Sequence, residues 1–230
     1  MSTTLMNSPD EASYIHTKEL LMGKRQLSAP YDLMLEWVKE NYPSTTPINI
    51  YYDNFNYRLE KHQRLNIIFL RSKDVNLFRE NLGKNRIGNY KKNEQDNFKK
   101  KFFSLLKSYT PNIQIPEKLL VIFNSFDLVA RREIFNHFLK SDDYNKFCEH
   151  IKNEEIWKIS PYHGSIWIFF QTEKILHNSN NQQEYISKIF GKYFLPLDKF
   201  GVCEQLNLPI NFEARDKFHS QPWRWDYRGR

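Results

Sequence analysis

Cysteine is nearly missing from this chain of 230 residues: Cys148 and Cys203 are the only two. They are far apart in sequence, and a structural zinc needs four closely spaced nitrogen or sulfur ligands, so both read as core thiols. The seven glycines never fall in GxGxxG or GxxxxGK order, so a glycine-rich phosphate loop is not expected. The histidines show neither HExxH nor HxH spacing. No apolar run approaches the roughly 18 residues of a membrane span. The opening MSTTLMNSPDEAS lacks the basic flank and apolar core of a secretory signal. These features point to a cytoplasmic protein with no membrane contact, no metal and no cofactor.

Aromatic side chains and lysine are abundant. Hydrophobic residues make up 40% of the chain and aromatics 16%, enough for a packed core. The net charge is +7, and its excess is local. Between Lys84 and Lys107 stand eight basic residues and two acids, so attraction to phosphate would be confined to that segment. Lys91, Lys92, Lys99, Lys100 and Lys101 read either as a solvated helical face or as a face for a partner protein or nucleic acid. Gly83 to Asn97 reads as an exposed loop before a helix from Asp96 to Tyr109.

The apolar pattern predicts an α+β fold with a largely antiparallel or mixed sheet and helices packed on it. Residues 1–13 are expected to be disordered and 14–230 to form one domain. A helix is predicted after Pro30, with Tyr31, Leu33, Met34, Trp37 and Val38 at helical spacing. Ile48–Phe55 and Arg64–Leu70 read as a strand pair turning near Glu60 to Gln63, and Lys73–Asn81 as a capped helix. Leu119 to Phe123 reads as a fully buried central strand, and Asp127 as the cap of a helix whose stripe is Leu128, Ile134, Phe135, Phe138 and Leu139. Glu155–Ser160 and Ser165–Phe170 read as a second strand pair across the turn PYHG. A helix starts at Thr172, is interrupted by NSNNQQ, and resumes at Glu184 with Tyr185, Ile186, Ile189 and Phe190 inward. LNIIFLRSKD and SIWIFFQTEK echo one another, which suggests two related strand-strand-helix halves.

In the C-terminal half, EIWKIS, IWIFFQTEKI, YFLPLDKFGV, INFEARDKF and WRWDY follow one another. This order resembles an uncharacterised family of bacterial proteins with a two-strand, helix, DEFGY, FDSKENFD and terminal NWYYY arrangement. Asp198-Lys199-Phe200-Gly201 follows that pattern, whereas INFEARDKF replaces the serine and one acid of FDSKENFD. The resemblance implies a bacterial source and a single intact domain, and no catalytic residue comes with it.

Chemistry is sparse. His163 in the PYHG turn and His219 lie on expected loops, and Tyr162 beside His163 could supply a proton, but no nucleophile, acidic pair or metal set completes a site. His137 and His150 could face each other across two helices. In the terminal HSQPWRWDYRGR, Trp223, Trp225 and Tyr227 alternate with Arg224, Asp226 and Arg228. That spacing suits an edge strand with the arginines free for a partner, or an arm whose aromatics stack on a ligand. Two functions follow. One is a bacterial protein-binding module without catalytic activity, immunity- or antitoxin-like, that neutralises another protein. The other is an RNA or single-stranded nucleic-acid binder using residues 84–107 and the aromatic C-terminus.

Overall fold

The computed structural model describes residues 9–57, 60–81, 87–112, 118–162, 164–204 and 207–220. The fold is α+β, and its contacts divide the chain into two compact units, Met1–Val129 and Ala130–Arg230. The sequence reading had placed one domain over 14–230. Among the described residues, no helix is long and apolar enough to cross a membrane.

The first unit opens with α1 (Pro9–Leu21) and α2 (Tyr31–Asn41). Residues 9–13, expected to be disordered, form the first turns of α1, and Ser13 is buried. Strands β1 (Pro47–Tyr57) and β2 (Glu60–Phe69) form an antiparallel pair, and β5 (Leu119–Ser125) runs parallel to β2. Glu60 to Gln63 is therefore strand and not turn. The sheet order is β1-β2-β5, so β2 is central and β5 lies at an edge, contrary to the sequence reading. Burial explains why. Every residue from Arg64 to Phe69 is buried, whereas along β5 only Leu119, Val121 and Phe123 are, and Leu120 is 43% exposed. A strand covered on both faces belongs in the middle.

The expected helix over Lys73–Asn81 is short: α3 spans Ser72–Val75, a 3-10 turn spans Asn76–Phe78, and β3 (Arg79–Asn81) pairs with β4 (Ile87–Tyr90). The turn drops Phe78 between Phe69 and Phe123, at ring distances of 5.1 and 4.4 Å. Asp74 accepts the Thr46 N–H at 3.0 Å, so it ties down the entry to β1. Helix α4 (Lys92–Tyr109) starts earlier than Asp96, because residues 87–90 are strand and not loop. It buries Phe98, Phe102 and Leu106 on the sheet.

The second unit contains most of α5 (Asp127–Lys140), then α6 (Asp142–Ile151) and the hairpin β6 (Ile156–Tyr162) with β7 (Ser165–Phe170). Gly164 sits at φ +76° in its turn, a backbone region that side chains disfavour. Helices α7 (Glu173–Asn178) and α8 (Asn180–Phe194) are separated by Ser179 alone. The NSNNQQ stretch is thus mostly helix. Ser179 Oγ donates to Leu176 O at 2.8 Å, and Gln183 Nε2 donates to the same carbonyl at 2.9 Å, so polar side chains satisfy the junction. Strand β8 (Ile210–Ala214), which the sequence reading missed, lies parallel to β7, and α9 (Arg215–Ser220) follows.

The two units repeat one plan. Each has a helix, an antiparallel pair, a crossover carrying a long helix, and a third strand parallel to the second, and a helix begins directly after that strand, α5 after β5 and α9 after β8. Both hairpins carry the same register slip: Pro47↔Phe69 is followed by Asn49↔Ile68, and Ile156↔Phe170 by Lys158↔Phe169. The parallel ladders match as well, running Leu65↔Val121 to Phe69↔Ser125 and Ile166↔Ile210 to Phe170↔Ala214. Phe98, Phe102 and Leu106 on α4 correspond to Ile186, Phe190 and Phe194 on α8. A polar contact repeats too. Asp127 Oδ2 accepts from Ser72 Oγ at 3.1 Å, and Asp216 Oδ2 accepts from the Glu173 N–H at 3.3 Å. This equivalence pairs Phe69 with Phe170. The sequence echo pairs it with Phe169, and a slip of one residue on a strand exchanges core and outer faces.

Candidate functional site

The lysines singled out in the sequence do not converge. Lys91 Nζ donates to Leu77 O at 2.8 Å, and Lys92 pairs with Asp96 at 3.2 Å. Lys99 Nζ lies 5.6 Å from the centre of the Phe103 ring. At about 100° per residue, Lys99 and Lys101 point about 200° apart around α4, with exposed Lys100 between them. The charge is spread around the solvent side of the helix. Arg224 and Arg228 lie outside the described residues, as do Trp223, Trp225, Tyr227, Lys84, Arg86 and His163.

A more organised site lies on the outer face of the first unit's sheet. Alternation sends Leu65, Ile67 and Phe69 into the core and leaves Asn49, Asp53, Arg64, Asn66 and Ile68 on the other side. Arg64 Nε and Nη2 donate to the two Asp53 oxygens at 3.0 and 2.7 Å, a bidentate pair directly across the strands. Helix α1 meets this face with polar groups. Asn49 Nδ2 donates to Thr17 Oγ1 at 2.8 Å and reaches His16 Nδ1 at 3.1 Å, and Asn66 Nδ2 lies 3.4 Å from Ser13 Oγ. The Oδ1 atoms of Asn49 and Asn66 are buried without a hydrogen-bond partner among the described residues. Burial, reinforced by Arg25 and opposed by Glu19, lowers the His16 pKa from its ordinary 6.5. The imidazole is therefore neutral at pH 7, and its Nδ1 can accept from Asn49.

Beside this network a groove of about 170 Å³ opens between α1, the end of β5 and the first turn of α5. Tyr14 and Phe126, stacked with ring centres 5.0 Å apart, form one wall with Ile68. Its rim is apolar: Leu128 is 61% exposed and Val129 40%. Leu128 thus faces solvent, although the sequence pattern had put it in the buried stripe of α5. Asn124 and Ser125 supply polar lining. No family model, curated protein or solved structure matches the chain. A wider hollow of about 690 Å³ lies in the second unit among Glu155, Thr172, Lys174, Ile175, Asn178 and Gln182.

Burial also shifts several groups elsewhere in the chain. Burial pushes the Cys148 thiol up, against a bond from Tyr144 that lowers it, which keeps the sulfur protonated and a poor nucleophile. Burial also raises the Tyr144 phenol, helped by Cys148. Tyr42 is raised by burial and by its bond to Glu94. His150 meets Tyr185 Oη at 3.1 Å and not His137, and Tyr185, expected inward, is 49% exposed. Among the described residues, no three His, Cys, Asp or Glu gather closely enough to hold a metal. The sequence signal for the outer face was asparagine inside two apolar runs, INIYY and LNIIF, where a buried carboxamide needs partners.

Proposed function

We propose that the protein is a recognition module that binds another protein and neutralises it, as immunity and antitoxin proteins do. The observation that carries this reading is the groove at α1, β5 and α5 with exposed Leu128 and Val129 on its rim. Its volume falls below the roughly 300 Å³ at which small-molecule sites begin. It suits a single apolar side chain of a partner, the kind of anchor that dominates protein interfaces. The dispersed, partly engaged lysines of α4 give weaker support to nucleic-acid binding.

The test is affinity capture from the native host with the intact chain and with Leu128→Asp and Val129→Asp. A stoichiometric protein partner retained by the intact chain and lost by both folded variants is expected. Copurifying nucleic acid that leaves at high salt, with no protein partner, would overturn the reading.

A further inference from the structure

The equivalent edge strands β5 and β8 are finished differently. In the parallel ladder the Phe126 N–H donates to Phe69 O, so the main-chain groups of Val121 and Phe123 point away from β2. Both carbonyls are capped by side chains: Gln95 Nε2 donates to Val121 O at 2.6 Å, and Tyr90 Oη to Phe123 O at 2.7 Å. In the second unit the Ile166 N–H donates to Pro209 O, which turns the main chain of Ile210 and Phe212 away from β7. Neither cap recurs there among the described residues. Gln183, the counterpart of Gln95, turns back to Leu176 O, and with only Ser179 between α7 and α8 there is no counterpart of β4 to supply a tyrosine. Val121 and Phe123 are buried, whereas Ile210 and Phe212 are half-buried.

The Ile210 N–H is taken by Leu208 O at 2.8 Å and the Ala214 N–H by Glu213 Oε1 at 3.1 Å. Among the described residues, the Phe212 N–H, Phe212 C=O and Ile210 C=O have no partner and lie on the open edge of β8. An open strand edge is a template for another strand. We propose that two copies of this chain dimerise by pairing their β8 strands antiparallel about Phe212. The N–H and C=O of one residue on one edge are what a two-fold axis requires, since facing Phe212 residues then exchange both hydrogen bonds. The side chains also match their own reverse. Ile210 falls opposite Ala214 of the second copy on the apolar face. On the other face Asn211 falls opposite Glu213, so a carboxamide meets a carboxylate and no like charges oppose each other.

Sedimentation equilibrium of the full chain over a range of concentrations tests this. A reversible monomer–dimer equilibrium is expected. Asn211→Glu sets two carboxylate pairs against each other and should weaken it about tenfold, while Asn211→Lys should tighten it. The melting temperature of dilute protein reports whether each variant folds. If Asn211→Glu does not fold, tightening by Asn211→Lys must still appear. A strictly monomeric chain overturns the proposal, and so does a dimer indifferent to both substitutions. Protection of the Phe212 amide only when a different protein binds also overturns it.

Discussion

The two units share a register and a core but not an outer face. On the core side the equivalences stay apolar: Leu65 with Ile166, Ile67 with Ile168, Phe69 with Phe170, and Phe123 with Phe212. On the outer side Asn66 is matched by Trp167, Ile68 by Phe169, Asn49 by Lys158, and the Asp53–Arg64 pair by Tyr162 and Ser165. The first unit covers a polar face with α1, whose Ser13, His16 and Thr17 meet the buried asparagines. The second buries Phe169 among Trp157, Trp167 and Phe218, with Lys158 and Arg215 near the rings. Burial of one face is enough to specify the plan, which leaves the other free to carry whatever each unit does.

The sharpest way to break this comparison is at the paired phenylalanines. Phe123 lies fully buried in a stack with Phe78 and edge-on to Phe98 and Tyr90, so Phe123→Ala should cost roughly 3–5 kcal/mol. Phe212→Ala, at a half-buried edge, should cost about 2 kcal/mol. Equal costs in urea unfolding of dilute protein would show that the two edges are sealed alike. A charge on β5 should unfold the first unit at Val121, which is buried on the core side, and be tolerated better at Ile122, which is half-buried on the outer side.

The ion pair separates the outer faces. Arg64 is 6% and Asp53 14% exposed at the side chain, so Asp53→Ala should cost about 3 kcal/mol by removing the carboxylate from a buried guanidinium. Ser165→Ala, at the position equivalent to Arg64, should stay within about 0.5 kcal/mol. Comparable losses would contradict the different construction of the two faces.

The repeated aspartate contact should differ in degree. Asp127 is buried and Asp216 exposed. Thermal melts should show about 1–2 kcal/mol lost in Asp127→Ala and less than about 0.5 in Asp216→Ala.

Acid should weaken the first unit through His16. Its folded pKa is lowered, so the unfolded chain takes up the proton first as pH falls. The contribution of His16 is fully present above its unfolded value of 6.5 and is lost as pH drops through 6.5 toward the folded value. Protonation also abolishes the acceptor at Nδ1. The fall in melting temperature between pH 7.5 and 5.5 should be smaller in His16→Asn than in the parent, and an unchanged fall would remove His16 from the account.

The smallest effect is expected at Lys99, Lys100 and Lys101. Exchanging all three for Gln should leave the melting temperature nearly unchanged, because surface charges contribute about 0–1 kcal/mol. A large loss would mean that these stems seal α4 onto its unit.

Local pattern alone located both hairpins, the helices over 31–41 and 127–140, and an echo between two halves, because alternation and helical spacing are properties of neighbouring residues. Pattern also marked the lysine cluster, yet not where its charges point. Tertiary structure decided what depends on distant partners. The edge position of β5, with β2 central, follows from which strand is covered on both faces. Strand β8 exists because β7 offers it a ladder, since INFEA alone carries too little apolar signal. The short α3 follows from the pull of Phe78 into the stack of Phe69 and Phe123. The one-residue offset in the internal echo could be read only from hydrogen-bond register. A sequence comparison matches residue types, whereas the ladder matches the faces on which they lie.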